Sequence, residues 1–182
     1  NNKDSNGTLA GDGTGLERTR KQNYESTKKK EGTYMTSIVD TREVVQAFDI
    51  SGTQECQIMH ELIMQVKGKI LTLDAGFVDR KLVDKIADQL MTPYVFPKKS
   101  ILLNGHPAWK LMYLDLFNNV IDWLIKYHQR SHSESFHSSF KRTNGPVTKR
   151  RPTSQIAQIT ARIVLHNRRR LSYFNKLAAM AC

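Results

Sequence analysis

Glu134 stands among side chains whose types and spacing could share one chemical task. Projected on a helix at about 100° per residue, Tyr127, Arg130, Glu134 and Lys141 fall within about 60° of arc. Phe136 and Phe140 project near the opposite side, at about 180° and 220° from Tyr127. One face is therefore aromatic and suited to a core, while the other gathers a phenol, two cations and a carboxylate. Spacing alone allows two readings: an amphipathic helix with an ordinary i,i+4 ion pair between Arg130 and Glu134, or a face whose groups act on a common ligand. Other patterns carry less. Gly11-x-Gly13-x-Gly15 has the glycines of a phosphate loop, but the chain holds no G-x-x-x-x-G-K-[ST] and no complete G-x-G-x-x-G. His128 and His132 are spaced i,i+4 without an H-E-x-x-H and without an evident third ligand, and they flank the same face.

The spacing Tyr127-x2-Arg130-x3-Glu134-x6-Lys141 resembles the Tyr-Arg-Glu-Lys signature of a large group of bacterial and archaeal insertion-sequence transposases of the DDE, cut-and-paste type. Leu73-Asp74-Ala75-Gly76-Phe77 is similar to that family's Asp-x-Gly-Tyr block, with Phe77 in place of the usual Tyr. Asp12-Gly13-Thr14-Gly15-Leu16 is similar to its Asp-Gly/Ser-Thr segment. The resemblance implies a ribonuclease H-like fold in which Asp12, Asp74 and Glu134 are the catalytic carboxylates and the ligands of two Mg²⁺ ions, with Mn²⁺ able to substitute. It also implies that Tyr127, Arg130 and Lys141 contact phosphates of the transposon end. The partners it implies are double-stranded DNA, both terminal inverted repeats and target, and a second copy of the chain, so that a homodimer assembles on DNA. The location it implies is a prokaryotic cytoplasm, in association with the nucleoid.

Cleavage and transfer of a strand are in-line displacements at phosphorus. Two divalent ions about 3.5–4 Å apart can activate the attacking oxygen and stabilise the leaving one, and hard ions such as Mg²⁺ take oxygen ligands. No covalent enzyme intermediate is needed, which agrees with the lack of a nucleophilic Ser or Cys motif. Each carboxylate also has a plainer reading. Asp12 could be a turn residue between glycines, Asp40 follows a strand and competes for the first-ligand role, and Asp74 could be a loop residue. The chain could equally be a catalytically silent DNA-binding remnant, or a ribonuclease H-like nuclease that cuts without transfer; the full Tyr-Arg-Glu-Lys set argues against the latter.

The elements that must position these residues follow from local pattern. Residues 9–15 read as a short strand ending in a flexible turn, residues 18–30 as a basic loop, and residues 33–39 and 43–50 as two strands joined by a hairpin turn at Asp40-Thr41-Arg42. Ser51-Gly52 punctuates the chain. Ile58, Met59, Leu62, Ile63 and Val66 form one helical stripe over residues 55–66. Residues 69–73 form a largely apolar strand with Asp74 at its end, and Asp79 is placed to cap a helix running to about Leu90. Residues 93–96 are a short strand. Pro107 suits the first turn of a helix, and Trp109, Met112, Leu116, Val120, Ile121 and Leu124 continue its spacing. Ser154 caps a last helix, with Ile156, Ile159 and Ile163 on one face, ending near Arg168-Arg169-Arg170. A hairpin followed by alternation with helices predicts an α/β fold with a mixed sheet flanked by helices.

Charge separates the chain into two halves. The 182 residues carry a net charge of +11. Residues 1–100 hold 15 Lys and Arg against 14 Asp and Glu, whereas residues 101–182 hold 13 against 3. A surface this basic attracts polyanions through phosphate contacts and counterion release. Arg142, Lys149, Arg150, Arg151, Arg168, Arg169 and Arg170 are the further candidates for DNA-backbone contact. The chain contains no run of about 18 apolar residues and no signal-peptide pattern, so neither a membrane span nor a membrane partner is expected. Two cysteines far apart in sequence, Cys56 and Cys182, make neither a disulfide framework nor a zinc motif and suit a reducing cytosol. The expected organisation is a disordered remnant of an N-terminal region over 1–8, a catalytic domain over 9–142, a basic linker over 143–153 and a C-terminal helix over 154–182.

Overall fold

A computed structural model of the chain describes residues 6–16, 33–50, 55–99, 101–149 and 151–180. The basic loop at 18–30, the Ser51-Gly52 break, Arg150 and most of the 1–8 segment lie outside these residues. The strands are β1 (Thr8–Gly15), β2 (Tyr34–Asp40), β3 (Val45–Asp49), β4 (Ile70–Leu73) and β5 (Thr92–Val95). The helices are α1 (Glu55–Leu62), α2 (Arg80–Asp88), α3 (Pro107–Asn118), α4 (Val120–Tyr127), α5 (Ser131–Asn144) and α6 (Pro152–Met180). Short 3-10 turns follow α1 at Ile63–Gln65, precede α2 at Ala75–Phe77 and join α4 to α5 at His128–Arg130.

The five strands form one mixed sheet in the order β3-β2-β1-β4-β5. β1 pairs antiparallel with β2 and parallel with β4, and β4 pairs parallel with β5. This order, with helices on both faces, is the α/β ribonuclease H-like fold that the element pattern predicts.

Side-chain alternation along β1 divides the core. Leu9 joins Ile38, Ala47, Leu71 and Leu73 in a cluster covered by Ile58, Met59 and Leu62 of α1 and by Leu82, Val83 and Ile86 of α2. Ala10 joins Met35, Val39 and Val45 in a second cluster, closed by Phe136 and Phe140 of α5 and by Ile159 and Ile163 of α6. The aromatic face expected of α5 is thus the face that packs on the sheet. Its opposite edge carries Glu134.

Helix boundaries depart from the sequence reading in three places. The stripe from Trp109 to Leu124 belongs to two helices, because the chain breaks at Asn119, which has φ −133° and ψ 51°. The stretch from Tyr127 to Lys141 is interrupted by the His128–Arg130 turn before α5 begins. The last helix starts at Pro152 rather than after Ser154 and runs through the arginines to Met180. Arginine is a good helix former, so a run of three does not end a helix. The helix reaches back to the sheet edge through Asn167, whose Oδ1 accepts from the Val45 amide and whose Nδ2 donates to the Val45 carbonyl, each at 2.9 Å. The edge strand β3 is thereby partly covered.

The β2–β3 turn takes up the Asp40 carboxylate. Asp40 is 1% exposed and pairs across the sheet with Leu9, three positions back along β1 from Asp12. Its Oδ1 accepts from the amides of Arg42 and Val44 at 2.9 and 3.0 Å. Its Oδ2 accepts from Arg42 Nε and Nη2 at 3.1 and 2.8 Å. The carboxylate is consumed by the turn. Removing one member of a buried pair leaves the other charge uncompensated, at about 3–5 kcal/mol. Asp40→Ala is therefore expected to destabilise the chain on that scale in urea unfolding; a loss below about 1 kcal/mol would show the pair to behave like an exposed one.

Candidate active site

β1 brings its even-numbered residues to the face that α5 covers, and Asp12 and Thr14 follow Ala10 there. The parallel register pairs Gly11 with Leu73, so the next step along each strand sets Asp12 beside Asp74 where β4 ends. The glycines alternate with these residues and face α1. A Cβ on Gly11 would lie 2.6 Å from Leu73 Cδ2 and 2.9 Å from Met59 Cε. The glycine triplet is a closely packed strand face, not a phosphate loop.

Glu134, in the first turn of α5, is held by Arg130, whose Nη1 lies 2.7 Å from Glu134 Oε1 and 3.5 Å from Asp74 Oδ1. The guanidinium therefore links the helical glutamate to the strand-end aspartate. Burial alone would lower the Arg130 pKa, but Tyr127, Glu134, Asp74 and Asp12 outweigh it and raise it above its ordinary value. Tyr127 is largely buried, stacked on Trp123 at a centroid separation of 5.3 Å and packed against Phe96. The Arg130 guanidinium lies 5.8 Å from the centre of the Tyr127 ring. Burial first, with Asp74, Glu134 and Asp12 adding to it against Arg130, raises the Tyr127 pKa and keeps the phenol protonated.

Lys141 Nζ donates to Thr14 Oγ1 at 2.8 Å. Burial lowers its pKa, with Asp12 opposing. Arg130 thus joins Glu134, Asp74 and the Tyr127 ring, while Lys141 reaches β1 at Thr14, two residues beyond Asp12.

One further residue belongs here. His137, buried between α5 and the sheet, has Nε2 2.9 Å from Ser37 Oγ and Nδ1 3.7 Å from Asp12 Oδ2. Ser37 is the cross-strand partner of Asp12, so His137 spans that pair. Its only signal in the sequence was its position three residues after Glu134.

Among the described outlying basic residues, Arg142 and Arg170 come near Glu134. Arg142 and Arg170 line an open depression with Glu43, Glu134, Ser135, Ser138 and Ser139. Arg170 Nε donates to the Arg42 carbonyl at 2.7 Å, which ties α6 to the β2–β3 turn, and its guanidinium lies 5.2 Å from the centre of the Phe174 ring. Lys149, Arg151, Arg168 and Arg169 are exposed, and Arg168 lies along a groove of α6 with Val164, Asn167 and Leu171. Arg150 lies outside the described residues.

The donor set of Asp12, Asp74 and Glu134 is all oxygen, which suits a hard divalent ion, and Arg130 already sits as a cation against two of the three. Among the described residues, the donors that lie within 4.8 Å of one another as a three-ligand group are instead Cys56, His60 and Asp79. Asp12, Asp74 and Glu134 do not lie together as such a group.

A sheet in this order, with Asp12 on the central strand and Asp74 just after the neighbouring parallel one, belongs to the ribonuclease H-like class. Within that class the assignment is narrower: a family model of the transposase DDE domain matches residues 5–168, and the chain belongs to that family. Membership implies in general terms a nucleotidyl-transferring or strand-cleaving enzyme that acts on DNA with divalent metals. Comparison with curated proteins and with solved structures gave no significant match. Among the described residues, no helix is long and apolar enough to cross a membrane.

The packing under Asp12 can be tested directly. A Cβ at Gly13 would lie 2.5 Å from Tyr34 Oη and 2.7 Å from its Cε1. Tyr34 is itself fixed by donating its hydroxyl to Glu55. Gly13→Ala is expected to cost about 1–3 kcal/mol by overpacking, and the cost should shrink in a Tyr34→Ala background. Additive losses in a double-mutant cycle would show that the tyrosine ring is not what excludes the methyl group.

Proposed function

We propose that this chain is the catalytic part of a transposase that cleaves a phosphodiester bond at transposon ends and transfers the freed 3′ end into target DNA. The observation that carries the reading is that Arg130 bridges Glu134 to Asp74 at the end of β4, with Asp12 on the neighbouring strand β1. The resemblance of Tyr127, Arg130, Glu134 and Lys141 to the Tyr-Arg-Glu-Lys signature supports reading it as one of that group of insertion-sequence enzymes.

The three carboxylates would hold two Mg²⁺ ions, or Mn²⁺ in their place. Divalent ions bound there supply Lewis-acid polarisation of the phosphate and activation of the attacking oxygen. The protein side of the chemistry falls to the surrounding residues. The paired strands fix Asp12 and Asp74, and α5, anchored through Phe136 and Phe140, fixes Glu134. Arg130 neutralises Asp74 and Glu134 when DNA is absent. A backbone phosphate would compete for its guanidinium, which binds phosphate bidentately, so DNA arrival and release of the carboxylates become one event. Lys141, held near Asp12 by Thr14, places a second cation beside the same strand end. His137, locked by Ser37, restrains the Asp12 carboxylate. The basic second half of the chain would hold inverted-repeat and target duplexes on a homodimer.

Incubation with a duplex carrying the element's terminal inverted repeat, in Mg²⁺, is expected to give nicks at the repeat end. Asp74→Ala should lower the rate by more than the ~10–100-fold typical of losing a supporting partner of a metal ligand. Equal nicking by wild type and Asp74→Ala would end the catalytic reading; repeat binding without nicking by either would favour a silent DNA-binding remnant.

The electrostatic contacts have a separate signature. Lys141→Ala is expected to weaken repeat binding and to lower the slope of log K against log salt by about 1. An unchanged slope would mean that Lys141 is spent on Thr14 and touches no phosphate.

A further inference from the structure

Away from the carboxylate cluster, the amino end of α1 and the start of α2 bring together three side chains of a different chemical kind. Cys56 and His60 are one helical turn apart on α1 and point toward Asp79, which precedes α2. Asp79 divides its two oxygens. Oδ1 caps α2 by accepting from the Lys81 amide at 2.9 Å. Oδ2 is the point on which the others converge: His60 Nε2 lies 3.0 Å away and Cys56 Sγ 3.7 Å away. All three donor atoms lie within 4.8 Å of one another. The framework around them is fixed, since Lys85 Nζ donates to the His60 carbonyl at 2.6 Å and packs the two helices together. The cluster is half-buried, which leaves one side open to solvent.

We propose that Cys56, His60 and Asp79 form a site for a zinc-class transition-metal ion, with a fourth position open to water or an incoming ligand. Bonds of about 2.3 Å to sulfur and 2.0–2.2 Å to nitrogen and oxygen place tetrahedral ligands roughly 3.3–3.7 Å apart. The Cys56–Asp79 separation already meets this, and the His60–Asp79 separation meets it after opening by a few tenths of an ångström. Sulfur and imidazole nitrogen select zinc-like ions, whereas Mg²⁺ takes oxygen. The site is therefore distinct in chemistry from the three carboxylates and does not depend on their role. Binding is balanced without a redox step: Cys56 releases its proton to solvent as the metal–sulfur bond forms, and His60 coordinates as a neutral imidazole through Nε2 with its proton on Nδ1. Asp79 lies five residues after Asp74, with the Ala75–Phe77 turn between them. The ion would thus clamp α1 to the segment that carries a strand-end aspartate.

Cobalt substitution tests the site on the full chain. Titration with Co²⁺ in Mg²⁺-containing, reducing buffer is expected to saturate at one equivalent, with thiolate-to-cobalt charge transfer and tetrahedral ligand-field bands that Zn²⁺ abolishes. Cys56→Ser should remove the charge-transfer band, and His60→Gln should weaken Co²⁺ binding at least about tenfold. Cys182→Ser should leave the spectrum unchanged and reports on the second thiol. Zn²⁺ should raise the Tm of wild type but not of His60→Gln, which also covers the case in which Cys56→Ser does not fold. No charge-transfer band in wild type, or a band that survives Cys56→Ser, would overturn the site and leave a capping aspartate that accepts two hydrogen bonds.

Discussion

Carboxylates gathered at one end of a sheet repel one another, and the placement of Arg130 is what makes the gathering tolerable. The Arg130 guanidinium meets Asp74 and Glu134 at once, and the same anions hold its own proton on more firmly. The 3-10 turn that carries Arg130 matters for this reason. It lets Tyr127 end α4 inside an aromatic cluster while Arg130, three residues on, emerges beside the strand ends. A group that stabilises acidic residues until a better anion arrives is a natural partner for a DNA-handling site.

The sheet contributes a second constraint. Because β1 is central and runs parallel to β4, two residues far apart in sequence end side by side. Glycine at 11 and 13 is favoured on the other face, where Leu73, Met59 and Tyr34 fill the space that a side chain would need. The alternation of glycine with Ala10, Asp12 and Thr14 expresses both demands in one strand: close packing toward α1, and reactive groups toward α5.

Much of this was legible in the sequence because it is local. Period-two and helical periodicity disclosed β1, the α1 stripe and the inward face of α5, and the cap at Asp79 was visible in its position before an apolar helical pattern. The helical projection from Tyr127 to Lys141 assumed one continuous helix, whereas a 3-10 turn interrupts it; Arg130 and Glu134 nevertheless remain one turn apart across the junction. The break at Asn119 and the run of α6 to Met180 were not legible, since tertiary contacts rather than local propensity set them. Asn167 reaches the β3 backbone and Ile159 and Ile163 reach the sheet, and these contacts anchor α6 whatever its sequence signals. His137 and the Cys56–His60–Asp79 group were hidden for the same reason. Each becomes meaningful only when a helix is laid against a strand or another helix.

The distribution of cations follows from the same division between framework and surface. Arg42, Arg170 and Arg162 are committed to Asp40 or to backbone carbonyls: Arg162 donates to Gly145 and Pro146 at 3.2 Å, and Arg170 to Arg42. They fix the turn, the edge strand and the last helix relative to one another. Lys149, Arg151, Arg168 and Arg169 remain exposed. Charge counted along the sequence cannot separate these two kinds of arginine, but burial and hydrogen bonding can. Basic residues spent on the framework hold α5 and α6 against the sheet, and Glu134 faces the strand ends only while that packing persists. The exposed ones are free to exchange counterions for phosphate. A polyanion would therefore meet a packed framework where the carboxylates sit and exposed cations on the last helix and the segment before it.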